Sequence, residues 1–171
     1  MSPSGSTSKI FEILEIKNFQ TVSFVDKTNM VGIKYELAED IMKRIYEIVK
    51  TLGENAEHVR LSGVYAIRSH GSGSRGIIAR CHALSKIWQL ALGIKAVYLI
   101  EVISERFDKM SKEEQDKVII HEIMHIPQSF GGGFVHHNMV HSRSVEEMYR
   151  RYLRLKTGRV DNEKEKKWFQ I

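Results

Sequence analysis

A chain of 171 residues, 42% hydrophobic and 27% charged, suits one compact domain with a real core and is ordinary for a globular protein. Its single cysteine, Cys81, excludes an intrachain disulfide framework and fits a reducing cytoplasm. The longest apolar runs, such as AVYLI at 96–100, are far too short to cross a bilayer, and the polar opening MSPSGSTSKI carries no apolar signal core, so no membrane partner and a cytoplasmic location are expected.

In chain order, residues 1–9 read as a Ser- and Gly-rich disordered leader, and the runs IFEILEI and TVSFV within 10–25 as a hairpin added to the domain edge. Glu36 to Leu52 is expected to be helical, with Leu37, Ile41, Ile45 and Ile48 at helical spacing and Gly53 past the end. GVYAIRSH (63–70) and IIARCHAL (77–84) read as two strands of one hairpin joined by the tip GSGSRG. Ser85 is placed to cap a short helix, KIWQLAL, that stops at Gly93. AVYLIEVI (96–103) is the strongest strand, and its near-continuous apolar run implies burial on both faces.

The next helix has a capping box, Ser111 with Glu114, and must end near Ile126 because Pro127 pushes the preceding residue out of the helical region. Three glycines (131–133) reverse the chain. A last helix is expected from about His136 or His137, with His141, Val145, Met148, Tyr152 and Leu155 as its inward stripe. From Arg143 onward nine Lys/Arg face five acids, so this end carries most of the net charge of +5. A solvated helix face with a frayed end accounts for that excess; weak nucleic-acid contact is the other reading.

His121-Glu122-Ile123-Met124-His125 follows the pattern H-E-x-x-H. Residues four apart share one helix face, so two imidazoles can hold one metal ion. Zinc suits neutral imidazole nitrogen in tetrahedral geometry and leaves a position open. It lowers the pKa of bound water towards roughly 7, and Glu122, as general base, can take the proton and pass it to a leaving amine. Val118, Ile119, Ile120, Ile123, Met124 and Ile126 surround most of this helix. Two histidines and a glutamate in such a setting incur a desolvation cost unless paired, and a metal removes it.

A third ligand is needed. The metzincin position, six residues after His125, is Gly131, which excludes that class. His136, His137 and His141 follow the glycine turn; Glu146 and Glu147 stand where thermolysin-like enzymes carry a ligating glutamate, and Cys81 is a further alternative. His58, His70 and His82 lie apart and read as surface or hairpin histidines. Tyr149 and Tyr152 are candidate oxyanion donors, although Tyr152 also fits the core stripe. Arg68, Arg75 and Arg80 flank the hairpin and can grip carboxylates or phosphates, or simply face solvent.

The stretch from Ala79 to Tyr149 resembles a family of small archaeal and phage-borne predicted metallopeptidases. The matching pieces are ARCHALSKIWQLALG, YLIEVISERFDKMSKEE, KVIIHEIMHIPQSFGGGFVHH and VEEMY. In that family an H-E-x-x-H-I-P core is followed by a glycine pair and, four residues on, a histidine; this implies Gly132, Gly133 and His137 here. The order of elements is also distantly similar to SprT-like minimal zincins, some of which act on DNA-bound proteins.

The resemblance and the motif together imply an α+β, zincin-like fold: a small, mostly antiparallel sheet packed against helices, with the H-E-x-x-H motif on a central helix. The expected organisation is an N-terminal extension (1–29), the zincin-like domain (30–157) and a basic tail (158–171). The expected activity is zinc-dependent hydrolysis of a peptide or protein substrate. One zinc per chain is held by His121, His125 and His137, Glu122 is the base, and an edge strand of the hairpin binds the extended peptide. Two other classes are open. A metal-dependent nuclease would have no need of Glu122 after the first histidine. A non-catalytic module that binds nucleic acid would close its structural zinc with four protein ligands.

Overall fold

The computed structural model describes residues 32–158. The leader expected at 1–9, the hairpin expected at 10–25 and the tail beyond Gly158 lie outside the described residues. Strand β1 (Lys34–Leu37) leads into helix α1 (Glu39–Leu52), then two short 3-10 turns and β2 (Val64–His70). Then come β3 (Ala79–Ala83), α2 (Lys86–Leu92), β4 (Tyr98–Ile103), the single turn α3 (Ser104–Phe107), α4 (Lys112–Met124) and α5 (Ser142–Thr157). The architecture is α+β. The sheet is mixed, in order β1-β2-β4-β3, with antiparallel outer pairs and a parallel β2–β4 pair.

The expected hairpin of 63–70 with 77–84 does not form. Both strands exist, but β4 lies between them and GSGSRG joins strands that are not neighbours. The reason is the apolar run of β4: Tyr98, Ile100, Val102 and Ile103 are all fully buried. A strand buried on both faces belongs in the interior of a sheet, and pairing β2 directly with β3 would leave it at an edge.

On one sheet face Val64 and Ala66 of β2 align with Tyr98, Ile100 and Val102 of β4 and form the core with α1, α4 and α5. Helix α1 contributes Ile41, Ile45 and Ile48, as its spacing predicts; Gly53 closes it with φ 54°, its N–H donating to the Val49 carbonyl. Leu37 is not part of that stripe: it lies in β1 and is exposed, because the helix starts only at Glu39. On the other face Glu101 is buried and accepts from Arg80 and His82 of β3, which binds the edge strand to the centre. Burial works to raise the Glu101 pKa, but the Ser69, His82 and Arg80 side chains around it outweigh that and hold it below the usual carboxylate value.

Helix α4 starts as its sequence predicts. Ser111 Oγ accepts from the Glu114 N–H at 3.3 Å, and the Glu114 carboxylate accepts the Ser111 N–H at 2.9 Å. Its last helical residue is Met124, with His125 as C-cap. Helix α5, in contrast, begins five to six residues later than expected. His141 is its N-cap: Nδ1 accepts the Ser144 N–H, and Ser144 Oγ accepts the His141 N–H. Val145, Tyr149 and Tyr152 form the buried stripe, while Leu155 is exposed.

Candidate metal centre

Residues 121 and 125 sit one helical turn apart at the C-terminal end of α4, so both imidazoles leave the same face. The chain then turns at Pro127, passes Phe130, which adopts φ 45°, and runs through the glycines back over the helix end. Phe130 holds this left-handed conformation by burial against Tyr98, the two ring centroids lying 4.8 Å apart. The return brings His137 to the pair. Ligand nitrogens of His121, His125 and His137 lie within 4.8 Å of one another, the one such three-residue group among the described residues.

His125 is oriented by the returning segment. Its Nδ1 donates to the Val135 carbonyl at 2.7 Å, and the Val135 N–H donates back to the His125 carbonyl at 2.9 Å. With the proton on Nδ1, the Nε2 lone pair points at the centre. That Nε2 lies 3.1 Å from Nε2 of His121. A proton on His121 Nε2 can bridge the two nitrogens, and a bound cation takes its place there. Tetrahedral zinc with bonds of about 2.0–2.1 Å needs ligand nitrogens about 3.3 Å apart, close to the spacing of this pair, and three imidazoles within 4.8 Å of one another can hold a metal ion. Burial, then the neighbouring imidazoles of His125 and His137, pushes the His121 pKa down to about 4. Burial also lowers that of His125, against the Val135 hydrogen bond. Both rings are thus held neutral, the form that ligates metal.

Glu122 reaches the backbone of β3 at Cys81 and is 7% exposed. Burial pushes its pKa up to about 7, while the backbone N–H of Cys81 draws it back. His121 and Glu122 line a cleft of about 500 Å³ between the Ile77–Ala79 segment and Val118 with Val145. Lys117 at its rim is bound at 2.8 Å by both Glu113 and Glu146. The wall formed by β3 is a sheet edge with no strand on its outer side among the described residues. Ile78 O accepts from Ile103 N and Leu84 N donates to Val97 O, so the even-numbered positions pair with β4. By the alternation of an antiparallel ladder, the N–H and C=O groups of Ala79, Cys81 and Ala83 face the open edge.

The other sequence candidates go elsewhere. His136 is exposed and His141 is spent on the α5 cap. Glu147 pairs with Arg143, and Glu146 with Lys117 and Arg150. Cys81 is outside the histidine group; burial, with the Glu122 charge, pushes its thiol up to about 12. His58, His70 and His82 contact Ile126 O, Glu36 and Glu101 respectively. Arg68 is held by Asp40 and Asp108, and Arg80 by Glu101 and Ser74. Tyr152 bonds Glu47 and Lys156, away from the histidines, and Tyr149 is buried beside Lys117.

One supporting residue escaped the sequence reading, since nothing marks it within an apolar strand. Tyr98 is fully buried; its hydroxyl donates to Gly133 O at 3.0 Å and accepts from Gly132 N at 2.9 Å. Gln89 Nε2 adds a bond to Gly131 O at 3.2 Å. A Cβ on Gly132, at φ 87°, would lie 2.4 Å from Leu84 O, so only glycine fits. This clamp fixes the segment that carries Val135 and His137. Tyr98→Phe keeps the ring packing and removes both bonds. Zinc affinity, read by chelator competition, is expected to fall about tenfold, with about 1 kcal/mol of lost stability in urea. Unchanged affinity would show that the clamp does not matter to the centre.

The family model described as "Putative phage metallopeptidase" matches residues 33–162 of this chain. No curated protein and no solved structure matches it.

Proposed function

The chain belongs to the "Putative phage metallopeptidase" family, and on that premise we propose that it is a zinc-dependent peptidase of zincin-like fold, with His121, His125 and His137 as ligands and Glu122 as general base. The observation that carries this reading is the convergence of three imidazoles beside a buried carboxylate at the foot of a cleft. Three protein ligands leave a position open, as in catalytic rather than structural sites. A bound zinc ion supplies Lewis acidity and brings the pKa of water towards about 7.

The remaining steps fall to the chain. An extended peptide adds to the open edge of β3, using the backbone groups of Ala79 and Ala83, while Cys81 N–H stays on Glu122. This lays the scissile carbonyl along the cleft above Glu122. The carboxylate takes a proton from the attacking water and delivers it to the departing amine. A pKa near the working pH suits both transfers, and burial supplies it. The neutral imidazoles of His121 and His125 need no deprotonation before they bind metal.

The reading is tested by incubating the zinc-loaded protein with a denatured-protein mixture and reading new termini by mass spectrometry. New termini are expected, lost on chelation and restored by zinc. A zinc-loaded preparation that yields none would count against peptide hydrolysis. Cleavage of RNA or DNA by the same preparation would favour the nuclease reading.

A further inference from the structure

Helix α2 has an apolar surface that neither the metal centre nor any other element among the described residues accounts for. None of its residues is buried. Ile87 is 74%, Trp88 58%, Leu90 84% and Leu92 56% exposed, and Ile94 just beyond is 48% exposed. An apolar surface of this kind on a soluble protein marks a site of contact. Only Gln89 turns inward, to Leu84 O and Gly131 O.

We infer that α2 is an interfacial anchor that inserts into the surface of an anionic phospholipid bilayer. Two observations favour a bilayer over a protein partner. At 100° per residue, positions 87, 88, 90, 91 and 92 span an arc of roughly 200°, about twice the stripe by which a helix rests on a core. A flat protein surface covers one side of such a knob, whereas a fluid apolar phase follows the whole arc. Next, Lys86 and Lys95 are exposed at the two ends of the knob, and no acidic residue occurs from Leu84 to Ile100. Lysines flanking tryptophan and aliphatic side chains match phosphate headgroups above an acyl boundary. Among the described residues no helix is long and apolar enough to cross a membrane, so the contact is peripheral. It does not depend on bound metal. Through Gln89 and Gly131 the knob adjoins the segment carrying His137, which brings the centre to the bilayer surface.

The test is co-sedimentation of the full chain with phosphatidylcholine vesicles, with and without phosphatidylglycerol. Binding is expected to need phosphatidylglycerol and to weaken with salt. Leu90→Asp, at an exposed site that leaves the fold intact, is expected to lower partitioning about tenfold or more. Lys86→Ala combined with Lys95→Ala is expected to lower it about tenfold. In a Trp168→Phe background the emission of Trp88 is expected to shift to the blue on binding. No sedimentation with anionic vesicles, or equal binding by Leu90→Asp, overturns the inference. So does binding that disappears in a chain ending at Lys156 yet survives Leu90→Asp, because the basic C-terminal segment would then be the anchor. A dimer in light scattering that Leu90→Asp converts to monomer also overturns it and assigns the surface to a second copy.

Discussion

Glu122→Gln is expected to retain zinc and fold while peptide hydrolysis falls by about two to four orders of magnitude. The substitution keeps shape and leaves a carbonyl oxygen for the Cys81 N–H, so the helix end and its contact with β3 survive. What it removes is the proton acceptor. A carboxylate that is 7% exposed, with no cationic partner among the described residues and its pKa pushed to about 7, is an expensive group for a core helix to carry. Its position beside the imidazoles is accounted for if it moves protons. Zinc content, the helical signal in circular dichroism and the rate of new-terminus formation are the three readouts. Cleavage that persists unchanged in this variant, with a clean contaminant control, would show that Glu122 is not the base.

Stoichiometric zinc is expected to be lost in His121→Ala and in His125→Ala, and His137→Ala is expected to weaken binding by orders of magnitude. His141→Ala should leave zinc almost untouched. It removes the acceptor for the Ser144 N–H instead, and with it about 1 kcal/mol of stability from the start of α5. The four variants therefore separate on two axes, metal content and urea midpoint. The reverse ranking of His137 and His141 would move the third ligand to His141. Loss of zinc in Glu147→Ala alone would point to a thermolysin-like set, against the pairing of Glu147 with Arg143 on the outer face of α5.

Local signals in this chain were legible because each is decided within a few residues. The Ser111 capping box, the stop before Pro127, the Gly53 end of α1 and the two-sided burial of β4 all follow from side chains and their immediate neighbours. The H-E-x-x-H spacing belongs to the same class, since helical periodicity alone puts His121 and His125 on one face. The resemblance to phage-borne metallopeptidases rested on that core and agrees with the family match.

The strand order, by contrast, is a competition among partners far apart in sequence. Glycine and serine between two strands predict a hairpin, yet burying both faces of β4 outweighs a short connection and places that strand between them. Likewise three histidines followed the glycine turn, and spacing alone could not separate them. His141 went to the helix cap, His136 stayed in solvent and His137 reached the pair, because a buried tyrosine on β4 and a glutamine on α2 fix the glycines from outside the local sequence. Helical periodicity and end signals alone set the helix that carries the motif and the pair of imidazoles on its face. Tertiary structure decided what stands around them, the third histidine, the Val135 carbonyl on His125 and the open edge of β3 over Glu122, since each of these depends on non-local packing that no periodicity encodes.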